Sequence, residues 1–140
     1  MARGREGSSS KPLLDKLGVR PEFRVAILGL QDEAFRRELE RVPHVEIARL
    51  RKHLDVIFFA ADSRAQLQRL GRLKEYLKLD GAIWVISLKG KAARIRDTEV
   101  IAAAIKAGLV DNKVVSFSQT RTALRLVIPL ALRRSRTRKD

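Results

Sequence analysis

Two periods of hydrophobicity run along this chain, and the switches between them mark its elements. Leu13, Leu14 and Leu17 form a short apolar stripe at helical spacing, with Ser10 placed to cap it, Pro12 in its first turn and Gly18 at its end. Pro21 marks a turn. Arg24 to Leu30 (RVAILGL) then reads as a buried strand. Asp32 to Leu39 reads as a helix with acids in its first turn, where the helix dipole favours them. Pro43 closes that helix. Val45 to Leu50 alternates apolar and polar residues, as a half-buried strand does. Asp55 to Asp62 (DVIFFAAD) is almost continuously apolar, as a central parallel strand is.

Ser63 and Gln66 form a capping box, and Leu67, Leu70, Leu73 and Leu77 extend the helix it opens to about Leu79. Asp80-Gly81 predicts a turn, Ala82 to Leu88 another buried strand, and Lys89 to Arg96 a basic loop. A helix from Asp97 to Ala107 follows, stopped by Gly108. Lys113 to Ser118 and Ala123 to Ile128, joined by a polar link, predict an antiparallel pair. The order strand-helix-strand-strand-helix-strand-helix-strand-strand is that of a single α/β domain, a mostly parallel sheet covered by helices. Residues 1–10 read as a disordered leader, 11–130 as the domain and 131–140 as a basic flexible tail.

Composition narrows the chemistry. With 140 residues and 45% hydrophobic content the chain can bury a core, and with only 5% aromatic residues that core is aliphatic. The absence of cysteine excludes disulfides, thiolate catalysis and cysteine-ligated metals. His44 and His53 have no metal-ligand spacing and no nucleophile or acid partner, so no metal, cofactor or catalytic residue is predicted. Glu38 and Glu40 are two apart on a helix and point in different directions. No apolar run approaches the roughly 18 residues of a membrane span, and the start lacks a signal peptide's apolar core. The expectation is a soluble cytoplasmic protein.

The formal charge is +14, half of it on residues 1–20 and 131–140 and half on the body between. Twenty arginines against ten lysines suit bidentate phosphate contacts. On the body the candidates are Lys89, Lys91, Arg94 and Arg96 in the basic loop, with Arg64, Arg72 and Lys78 opposite the leucine stripe. The tail adds Arg133, Arg134, Arg136 and Arg138. Together they predict a non-specific electrostatic contact with nucleic acid or an acidic protein. Sequence readout has no basis here, because Phe58, Phe59, Phe117 and Trp84 fall in strand patterns and only Tyr76 lies on a helix flank.

Several segments resemble known proteins. Pro12 to Val19 (PLLDKLGV) precedes Arg24-Val25-Ala26. Asp55-Val56-Ile57 is followed by Ser63-Arg64-Ala65, Asp80 to Val85 (DGAIWV), and Gly108 to Val114 (GLVDNKV). In that order the segments resemble a family of short bacterial proteins of unknown function, over about residues 11–128. The chain departs from the family's pattern at Leu88 to Lys91 and at Arg121 to Leu124. In architecture, a Trp-bearing strand after Asp-Gly, a helix and a terminal hairpin resemble the second half of a class I methyltransferase. The resemblance implies a three-layer Rossmann-like domain of about six strands, in the order 2-1-3-4-6-5 with an antiparallel last strand.

Such a fold takes a ligand at the carboxyl ends of its strands, where the strand order reverses. There the chain offers Gly29, Gln31, Asp62, Ser63 and Lys89. Gly29 is the first glycine of a dinucleotide fingerprint, but Gln31 and Ala34 hold the other two positions, and Asp32 and Glu33 repel a phosphate. The second strand ends at Leu50-Arg51, without the ribose-binding acid. Asp62 next to Ser63 reads first as a helix entry. The pattern argues against NAD or S-adenosylmethionine. It leaves a non-catalytic binding domain with a basic surface or, as the alternative, a small-ligand binder or degenerate methyltransferase-like enzyme using that crevice. A scaffold subunit pairing through an apolar surface is a third expectation.

Overall fold

The computed structural model describes residues 11–133. Helix α1 spans Leu13–Lys16, strand β1 Arg24–Leu28, helix α2 Glu33–Glu40, strand β2 Glu46–Ile47 and strand β3 Leu54–Ala60. Helices α3 (Arg64–Leu67) and α4 (Leu70–Lys74) follow, then strand β4 (Leu77–Leu88), a 3₁₀ turn at Gly90–Ala92, helix α5 (Asp97–Lys106), and strands β5 (Val110–Ser116) and β6 (Arg121–Val127). Residues 130–133 form a helical turn. The leader 1–10, with the Ser10 cap, and Arg134, Arg136 and Arg138 of the tail lie outside the described residues.

The sheet has six strands in the order β2-β1-β3-β4-β6-β5. All neighbours are parallel except β4–β6 and β5–β6, because β6 inserts antiparallel between its two partners. This is the expected single-domain Rossmann-like topology.

Alternation along the strands divides the core into two layers. Ile57, Phe59, Ile83, Val85, Leu124 and Leu126 face α3, α4 and α5, which contribute Leu67, Leu70, Leu73, Val100 and Ala104. Val25, Val56, Phe58, Trp84 and Ile86 face the other way, toward Leu17, Phe35 and Leu39. Phe35 meets Phe58 and Phe117 edge to face, at 5.0 and 4.9 Å between ring centroids. The buried Trp84 indole donates to the Leu17 carbonyl at 3.1 Å, fastening α1 to the sheet.

Three expectations are corrected. The helix predicted from Arg64 to Leu79 ends at Lys74, and Leu77 already belongs to β4. Gly71 weakens the segment. Its amides at Arg69, Arg72 and Tyr76 bond three residues back, a tightened geometry that does not extend into a long helix. Asp80-Gly81 likewise lies within β4: Leu54 pairs with Leu77 and Val56 with Ala82, so Lys78 to Gly81 bulge opposite Asp55. Lys78 therefore belongs to the strand and ion-pairs with Asp55 at 3.0 Å. The strand predicted over Val45–Leu50 pairs at only two residues, on the sheet edge.

Candidate functional site

The strand order reverses between β1 and β3, and the residues at their carboxyl ends define the candidate crevice. Strand β1 leads into Gly29, whose φ of +75° is the left-handed conformation that glycine adopts without strain. Asp32 then caps α2 with its own side chain, accepting the Phe35 amide at 3.0 Å. A nucleotide fold would offer that amide to an anion. Here an aspartate already holds it.

At the end of β3, Asp62 is a strand clamp. Its carboxylate accepts the Leu88 amide at 2.8 Å, tying the end of β4 to the end of β3. Arg121 of β6 stands 3.7 Å from the same carboxylate, near enough for charge attraction and too far for a hydrogen bond. The Ser63 hydroxyl accepts the Gln66 amide at 3.1 Å, while the Gln66 side-chain oxygen accepts the Asp62 amide at 2.7 Å. The Ser63 cap predicted from sequence is present, but Gln66 reaches past the cap residue to the amide before it, so the capping box closes only in part. Lys89 turns the other way and donates to the Ser116 hydroxyl at 2.7 Å. Asp62 and Lys89 thus serve different partners. Gln31 lines a cavity of about 410 Å³ with Ile27, Leu30, Asp32 and Phe35, on the α2 side of the crevice.

The predicted basic residues do not gather in one place. Arg64 and Arg96 meet at Glu99: Arg64 Nε donates to its carboxylate at 2.6 Å, and the Arg96 backbone amide donates at 3.0 Å. These contacts, the Arg64 hydrogen bond foremost, hold the Glu99 carboxyl below its ordinary value. Lys91 and Arg94 extend from the same carboxyl end with no ion pair among the described residues. Arg72 is exposed on α4, whereas Lys78 lies at the opposite end of the sheet beside Asp55. Arg133 donates to the Ile128 carbonyl at 2.7 Å.

His44 and His53 both occupy left-handed turns, at φ 59° and 71°, on the exposed surface. Among the described residues no cluster of His, Asp or Glu could hold a metal, and no helix is long and apolar enough to cross a membrane. Sequence reading missed Arg121, whose tie to Asp62 arises only when β6 inserts beside β4. It also missed Arg125, half-buried on the same strand.

No protein-family model and no curated protein matches this chain. Solved structures do. The mitomycin 7-O-methyltransferase MmcR superposes with a TM-score of 0.62 at 13% identity, over 76% of this chain and 49% of that one. A SAM-dependent methyltransferase from Aquifex aeolicus gives a TM-score of 0.54 at 16% identity, over 84% of this chain and 88% of that one. A TehB-like SAM-dependent methyltransferase from Corynebacterium glutamicum gives 0.54 at 11%, over 84% and 85%. The chain thus spans about half of MmcR and most of the two smaller enzymes. The likeness establishes a methyltransferase-like Rossmann fold.

The residues of this chain do not fit the SAM named for the Aquifex and Corynebacterium enzymes. A nucleoside-bearing cofactor in such a fold needs an open glycine turn after β1 and an acid after β2 for the ribose. Here the turn carries the Asp32 cap, and Arg49 and Arg51 follow β2, with Arg51 paired to Glu46.

Proposed function

We propose that the chain is a degenerate methyltransferase-like domain acting as a non-catalytic binding module. In this reading it meets a polyanion such as nucleic acid, or an acidic protein, through the cations around the carboxyl end of β4. The observation that carries it is the engagement of both acids at the strand ends, Asp32 on Phe35 and Asp62 on Leu88. Each carboxylate already holds a backbone amide of the fold through one oxygen, which leaves only its second oxygen to meet a ligand. Lys91 and Arg94, without a carboxylate partner among the described residues, support the basic contact.

Calorimetric titration with S-adenosylmethionine tests the cofactor half of this reading. The expected outcome is no saturable heat up to millimolar cofactor and no methyl transfer to any acceptor. Saturable micromolar binding would overturn it. One observation favours a second reading, a small ligand at the crevice: the cavity of about 410 Å³ beside Gln31 joins apolar walls from Ile27, Leu30 and Phe35 to the polar Asp32, Glu33 and Arg36. Such a ligand would bind without displacing Asp62, and Gln31→Trp would block it.

A further inference from the structure

We infer a small-anion site at the opposite end of the sheet, built on Arg125 and Arg20. Arg125 lies on β6, directly across from Trp84 of β4. Burial and the neighbouring Arg133 both push its guanidinium away from the charged form, burial the more strongly. Yet among the described residues its side chain makes one hydrogen bond, to the Asn112 side-chain oxygen at 3.3 Å, and no ion pair. A guanidinium has five donors and stays charged in proteins. A half-buried arginine facing a second arginine, with one amide as its partner, lacks a counter-charge.

The place for one is already there. Arg125 lines a cavity of about 320 Å³ beneath α1, whose walls include Leu17, Gly18, Arg20 and Phe23 on one side and Asp55, Asp80 and Ala82 on the other. Arg20 brings a second guanidinium with no ion pair among the described residues. The two acids do not cancel this. Asp55 is already neutralised by Lys78 at 3.0 Å and accepts the Arg24 amide at 2.8 Å. Asp80 is exposed and lies more than an ion-pair distance from either arginine. The volume suits a small molecule, and the forked guanidinium geometry suits a phosphate or carboxylate group.

The site carries its own reporter, because the lone Trp84 neighbours Arg125 across the strands and is bonded to Leu17 on the cavity wall. Inorganic phosphate and acetate would be titrated into the full chain at constant ionic strength, against chloride, following Trp84 emission. Saturable change with phosphate or acetate is expected, and whichever binds tighter identifies the group. Arg125→Gln should weaken that binding about tenfold or more, the cost of a charge-assisted bond. Arg20→Gln, on an exposed loop where folding is safe, should weaken it severalfold. Asp80→Asn should tighten it, since that carboxylate repels an anion. Responses identical to chloride, or unchanged affinity in both Arg20→Gln and Asp80→Asn, would overturn the site.

Discussion

Asp32 and Asp62 stand where a nucleotide fold would present groups to a ligand, and each holds a backbone amide of its own chain instead. For Asp62 the consequence is measurable. Asp62→Ala removes the acceptor of the partly buried Leu88 amide and the charge beside Arg121, whose Nη1 is buried without a hydrogen-bond partner. An orphaned donor of this kind costs about 1–3 kcal/mol. Asp62→Asn keeps an oxygen for Leu88 and loses only the charge beside Arg121, so it should cost less than Asp62→Ala. Urea unfolding followed through Trp84 emission should rank the variants in that order. Equal losses would mean that Arg121, rather than Leu88, is the partner that matters. Ser63, Gln66 and the helix entry were legible because capping is local in sequence. Arg121 was not, since nothing near position 62 announces a residue delivered by a strand 59 positions later.

Among the elements, the leucine spacing was read correctly as burial and wrongly as continuous helix. Leu67, Leu70, Leu73 and Leu77 are all buried, but the last reaches the core from a strand. A residue four places on from Leu73 satisfies either assignment. What decides is tertiary: the Leu54 amide bonds to the Tyr76 carbonyl at 2.9 Å, which starts the β3–β4 pairing there. Gly81 was read as half of a turn for the same local reason. Its actual constraint is space, because an added Cβ would lie 3.0 Å from the carbonyls of Leu54 and Asp55 and 3.2 Å from the Leu77 side chain. Gly81→Val should therefore destabilise the fold by about 1–3 kcal/mol through overpacking, with Gly81→Ala losing less. A thermal melt monitored at Trp84 would show it. A valine variant as stable as the wild type would mean that the bulge opens freely.

For the whole molecule, the alternation of strands and helices and the terminal hairpin were legible in the hydrophobic pattern, whereas the strand order came from the resemblance to a class I methyltransferase. Charge was legible only as a total. The fold separates what the sequence lists together: Lys78 goes to the amino end with Asp55 as partner, Arg64 is matched by Glu99, and Lys91 and Arg94 at the carboxyl end have no ion pair among the described residues. If a polyanion binds the body at that end, the salt dependence of binding must report these residues unequally. Each phosphate contact contributes about 0.9 to the slope of log K against log salt for duplex DNA. Replacing Lys91, Arg94 and Arg96 together by glutamine should lower the slope by about 2 to 3, while Lys78→Gln should leave it unchanged. Circular dichroism and Trp84 emission would confirm that both variants keep the fold. The same slope in wild type and triple variant would move the contact off this surface. An effect of Lys78→Gln about one third that of the triple variant, in proportion to the charge removed, would show that only net charge matters, and the module would then have no binding face on its folded body.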